Sequence, residues 1–162
     1  HPRGATTGID ERRIAFAHDL LFDFAIYELE LRGRPPTEIV TWLAGLDFFG
    51  VGLGPALGYA LSEARRGGPK LYADLLGAIE TSAVPDALKQ LAARSALDIE
   101  SVAELDAVFE EARAPAGDAA RRVLNRIVTE LVGVVDGRRL SLVDLHAGPW
   151  PAFAEVLSRE LA

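Results

Sequence analysis

From about residue 19 onward, apolar positions recur at helical rather than alternating spacing, and prolines and glycines cut the pattern into segments. Leu20, Leu21, Phe24, Leu29 and Leu31 recur with that spacing, and Asp23, Glu28 and Glu30 lie between them. A helix is predicted from Asp19 to Leu31, stopped by Gly33 and Pro35-Pro36. Asp19 and Asp23 fall near its positive N-terminus, where carboxylates are favourable. A short helix should run from Thr37 to Gly45 with Ile39, Val40, Trp42 and Leu43. Pro55 suits the first turn of the next, which carries Leu57, Ala60, Leu61 and Ala64 and ends at Gly67-Gly68. Pro69 opens another, with Leu71, Tyr72, Leu75, Leu76 and Ile79 on its apolar side.

Pro85 starts a helix through Leu88, Leu91 and Ala92, as far as Leu97. Ser101-Val102-Ala103-Glu104 has the form of a capping box ahead of Leu105, Val108, Phe109 and Ala112. The longest amphipathic segment is Asp118 to Val135, with Val123, Leu124, Ile127, Val128, Leu131 and Val132 inside and Arg121, Arg122, Arg126 and Glu130 outside. Ser141–Leu145 and Pro151–Leu161 are two short helical candidates. Ahead of all these, residues 1–12 read as a turn-rich lead-in and Arg13–Phe16 as a short edge strand. Helices of about 10–18 residues separated by breaks of about 3–6 predict an all-α protein, an irregular antiparallel array that is either HEAT-like or a bundle. No sequence motif repeats at a fixed period.

Composition narrows the chemistry. Hydrophobic content of 49% and charged content of 25% fit a folded chain. A net charge of -7 argues against nonspecific attraction to nucleic acid or anionic membranes. A winged-helix DNA binder would also need a basic recognition helix, which the sequence lacks. The most apolar long window, residues 43–61, is broken by glycines, Pro55 and Asp47 and falls short of a membrane span. Without cysteine there are no disulfides and no thiolate catalysis, and the expected setting is cytoplasmic. Methionine is missing too, even at position 1, so the chain is expected to be a fragment of a larger protein.

The residues that stand out chemically are His18 and Asp19, a titratable pair at the junction between the strand-like run Arg13–Phe16 and the first apolar helix. A histidine at a helix start can donate to a phosphate while backbone N–H groups point the same way. The segment Phe16-Ala17-His18-Asp19-Leu20-Leu21-Phe22-Asp23-Phe24-Ala25 resembles the end of the winged-helix module of STAND-class signalling NTPases, the NB-ARC and NACHT relatives. The resemblance covers residues 13–26 by sequence, and Ala17 stands where that family usually has methionine.

The resemblance implies that His18 contacts the β-phosphate of ADP and that Asp19 orients it. It also implies that residues 1–33 are the C-terminal part of a winged-helix-like module and 34–162 a helical scaffold or sensor region. The implied partners are an upstream nucleotide-binding domain and an unidentified protein trigger, with ADP or ATP bound in the parent protein and no cofactor in this chain. The alternative is a free-standing α-helical protein-interaction domain with no nucleotide binding.

Complete catalytic sets are absent from the sequence. Gly45-Leu46-Asp47-Phe48-Phe49-Gly50 has the glycine spacing of a P-loop but continues as Val51-Gly52, without the phosphate-binding lysine. The chain is therefore not expected to be an enzyme by itself. A metal phosphohydrolase of the HD type would need more histidines than His1 and His146 add, and no G-x-S-x-G elbow occurs. Glu100, Glu104, Asp106, Glu110 and Glu111 read as the solvated face of one helix, and Arg121, Arg122 and Arg126 as the most basic face of another. Trp42, Phe48, Phe49, Trp150 and Phe153 are expected in the core.

Overall fold

Proline sets the start of three helices here, because its fixed φ suits the first turn and its missing N–H has no partner to lose there. Pro36 and Pro69 are the first residues of their helices, and Pro85 precedes its helix in extended conformation. The computed structural model describes residues 21–46, 53–113 and 118–137, together with 151, 154, 155 and 158. Helix α1 is described from residue 21 and closes in a π-helical turn, Tyr27–Leu31. It is followed by α2 (Pro36–Ala44), α3 (Leu53–Arg66), α4 (Pro69–Thr81), α5 (Asp86–Ser95, continued by the 3-10 turn Ala96–Asp98), α6 (Val102–Arg113) and α7 (Asp118–Gly137). Every element among the described residues is helical, as the spacing predicts. The strand expected at Arg13–Phe16 and the helix expected at Ser141–Leu145 lie outside them, and the Pro151–Leu161 candidate is described at four residues, each helical.

The helices stack in two rows. In one, α1 packs on α3, α3 on α5 and α5 on α7; in the other, α2 packs on α4 and α4 on α6. Contacts of α3 with α4, α4 with α5 and α6 with α7 join the rows. This is the neighbour pattern of an irregular all-helical array. One pairing reaches beyond the rows and their neighbours, because α7 also touches α4. Helix α4 is thus touched by α2, α3, α5, α6 and α7, and it buries Tyr72, Ala73, Leu75, Leu76 and Ile79 over a correspondingly wide face. Helix α2 has fewer neighbours and buries only Ile39 and Leu43.

Polar ties between the described helices are specific. Tyr72 is 1% exposed, and its hydroxyl shares a 2.7 Å hydrogen bond with Ser95 Oγ on α5. Burial pushes its phenol up to about 12, so its neutral form stabilises the fold. The unfolded chain releases this proton near pH 10, so the contribution is complete below pH 10 and is lost as pH rises toward 12. Tyr72→Phe should cost about 1 kcal/mol at neutral pH and flatten that alkaline loss. Urea titrations of both proteins at pH 7 and across the alkaline range check it.

Lys89 Nζ donates to the carbonyls of Glu80 and Ser82, at 3.0 and 2.8 Å, and so caps the end of α4. Arg65 on α3 holds the Glu104 carboxylate of α6 with two bonds, Nη2 to Oε2 at 3.0 Å, and donates to the Asp98 carbonyl at 3.1 Å. The capping box at the start of α6 is consequently half made. Ser101 Oγ accepts from the Glu104 N–H at 3.4 Å, but the Glu104 carboxylate goes to Arg65 rather than back to residue 101. Arg65 holds that carboxyl below the usual carboxylate range.

Two charges expected on the outer face of α7 prove to be seam residues. Glu130 is 7% exposed and accepts from Arg94 Nε of α5 at 2.7 Å. Arg126 bridges Glu80 at the end of α4 (2.6 Å) and Asp86 at the start of α5 (2.9 Å). Arg121 and Arg122 are exposed as expected.

Candidate functional site

The two residues singled out by the sequence, His18 and Asp19, lie outside the described residues, as do His1 and His146. The described residues start at Leu21, within the span where the sequence predicts a helix. That helix is seated by an unexpected face. Asp23, Tyr27 and Leu31, spaced four apart, are 8%, 7% and 1% exposed, whereas Leu21 and Leu29 are 68% and 76% exposed. Phe22 and Phe24 are also exposed.

The physical reason lies in Tyr27 and in the turn that follows it. Tyr27 Oη donates to Glu63 Oε2 on α3 at 2.7 Å, which fixes the rotation of α1 about its axis. The π turn, closed by the Arg32 N–H on the Tyr27 carbonyl at 2.8 Å, inserts an extra residue that brings Leu31 inward under Tyr27. Ion pairs Glu28–Arg32 (2.6 Å) and Glu30–Arg34 (3.1 Å) brace the turn from outside. Gly33 then reverses the chain at φ 68°, a left-handed conformation that favours glycine.

Three rings collect where α1 meets α3. Phe24 stands edge-on to Tyr59 with centroids 5.8 Å apart, and Tyr27 lies 5.5 Å from Tyr59. Burial raises the Tyr27 phenol above its usual range, and the hydrogen bond to the Glu63 carboxylate and its charge add to the effect. Asp23 is buried on the same side of α1, and no described residue donates to its carboxylate.

Beside this seam, the α1–α2 turn and the α3–α4 turn enclose a groove of about 380 Å³. The buried residues Leu31, Ile39, Ala64 and Leu75 line it, with Glu63 and Arg34 as its charged groups. A broader groove of about 640 Å³ runs between α3 and α5 past Gly58, Tyr59 and Leu91. Sequence reasoning missed Glu63, Arg34 and Tyr59. Nothing in local spacing marks Glu63, whose role comes from a tyrosine 36 residues away.

No cluster of three or more His, Cys, Asp or Glu side chains suited to a metal occurs among the described residues, and no described helix is long and apolar enough to cross a membrane. Comparison with protein-family models, with curated proteins and with solved structures finds no match for the chain.

Proposed function

We propose that this chain is the helical regulatory portion of a STAND-like ATPase, in which His18 and Asp19 read the nucleotide held by an upstream domain and α1 passes that state to the helical array. The observation that carries the reading is the two-sided character of α1. One side is fastened to α3 through Tyr27–Glu63 and Leu31, and the opposite side presents Leu21, Phe22 and Leu29 to solvent. Such a helix suits a lever between the array and an adjoining module that covers its outer side.

In this reading His18 donates to the β-phosphate of ADP and Asp19 orients the ring. Exchange for ATP removes the contact and frees α1 to move with the array. A charge-assisted hydrogen bond of about 1.5–3 kcal/mol biases a two-state equilibrium by roughly 10- to 150-fold, enough to hold a resting state reversibly. The chain by itself is not an enzyme, binds no cofactor of its own and works in the cytoplasm.

In the full-length protein, His18→Ala is expected to speed ADP release and raise basal activation. Nucleotide release at the wild-type rate would refute the sensor role. The reading also requires a P-loop and an acidic Walker B strand encoded in the frame upstream of His1.

A free-standing helical interaction domain is the second reading. The open groove between α3 and α5 favours it, since a partner segment could lie along the row without any nucleotide. A reading frame that opens with methionine immediately before His1 would decide for it.

A further inference from the structure

We propose that the groove between the α1–α2 and α3–α4 turns is a docking site for a lysine or arginine side chain of a partner protein, with Glu63 as its counter-charge. Glu80, Glu104 and Glu130 also reach across to neighbouring helices, and each meets an arginine. Among the described residues Glu63 is hydrogen-bonded by the Tyr27 hydroxyl, and no cation lies within 4.0 Å of it.

The nearby cations hydrogen-bond elsewhere, Arg66 to the Ser62 carbonyl, and Arg32 attracts Glu63 only from beyond ion-pair distance. Arg34 is on Glu30, Arg32 on Glu28, and Lys70 on Asp74. A carboxylate with no described cation within 4.0 Å, at the side of an apolar groove, selects for a positive visitor.

The groove's other walls choose which one. A bare ammonium or metal ion would leave Leu31, Ile39, Ala64 and Leu75 uncovered. A purely apolar side chain would take water from Glu63 and offer nothing in return. A long aliphatic stem ending in a cation satisfies both parts at once. The volume of about 380 Å³ also accommodates an apolar neighbour of that residue against Leu71, which is 40% exposed. The net charge of -7 favours the approach of a basic segment.

The inference names the partner surface within the reading above. Its test involves no nucleotide, so failure here and failure of the His18 experiment are separate results.

The probe is the peptide acetyl-Ala-Leu-Arg-Leu-Ala-amide, with two controls that carry norleucine or glutamate in place of arginine. Amide shifts of the complete chain are followed during titration. The arginine peptide should move the resonances of Gly33, Gly67 and Leu71 and bind more tightly than either control. Glu63→Gln, which keeps an acceptor for Tyr27, should weaken binding roughly 10-fold or more. Leu71→Ser, an exposed change that spares folding, should weaken the arginine and norleucine peptides alike.

Equal binding of all three peptides, shifts confined to the outer face of α1, or no shifts would overturn the proposal. So would dilution-dependent broadening of these resonances in the free protein, which would assign the groove to a second copy of the chain.

Discussion

Arg126→Met is expected to destabilise the protein by about 3 kcal/mol, because it strands a carboxylate that the fold has taken out of water. The Glu80 side chain is 9% exposed, and Arg126, at 23%, is the described cation that neutralises it. Removing the guanidinium also frees Asp86, but that side chain is 68% exposed and solvent takes it over. The cost therefore falls on Glu80. Adding Glu80→Gln to Arg126→Met should recover most of the loss, which makes the pair strongly non-additive. Arg126→Lys should fall in between, since an ammonium cannot span Glu80 and Asp86 as the forked guanidinium does. Urea unfolding of the two singles and the double measures the coupling. Simple addition of the two single effects would mean that the seam between α4, α5 and α7 is held by apolar contact alone.

Ile79→Ala should cost about 3–4 kcal/mol, near the upper part of the range for losing a buried aliphatic side chain. Ile79 is 1% exposed on the helix that five others touch, so the cavity has walls on several sides and little freedom to collapse. Leu71→Ala on the same helix supplies the control. Leu71 is 40% exposed, and its truncation should cost no more than about 1 kcal/mol. Equal effects at the two positions would contradict the central placement of α4.

The helices were legible because their punctuation is local. Pro36, Pro69 and Pro85, the Gly67-Gly68 pair and Ser101 each act within one turn of their own position, and the observed ends fall within a residue or two of the expected ones. Inward faces were legible where apolar residues were confined to one side, as with Leu57, Ala60, Leu61 and Ala64 on α3.

Helix α1 defeated that logic because it is apolar nearly all round. With leucine or phenylalanine on both sides, rotation was decided by a hydrogen bond to Glu63 on α3 and by a π turn, neither of which leaves a periodic trace. Glu130 and Arg126 were misplaced for a related reason. Hydrophobic patterning treats charge as a mark of exposure, whereas these two charges meet partners from helices 36 and 46 residues away. The groove beside Glu63 is assembled from two turns distant in the chain, so no single window of sequence contains it.

The two-row order also bears on how the chain acquires its shape. Its principal helix pairs lie one or two elements apart, so loops closed during folding are short and their entropic cost is small. Such topologies reach the native state quickly, and each newly synthesised helix finds a partner already emerged from the ribosome. The reach of α7 back to α4 is the longest of these closures. Helix α4 therefore gains its last neighbour only when residues 118–137 have been made, and a nascent chain halted before that point would display the side of α4 that α7 covers, which is a surface a chaperone can recognise.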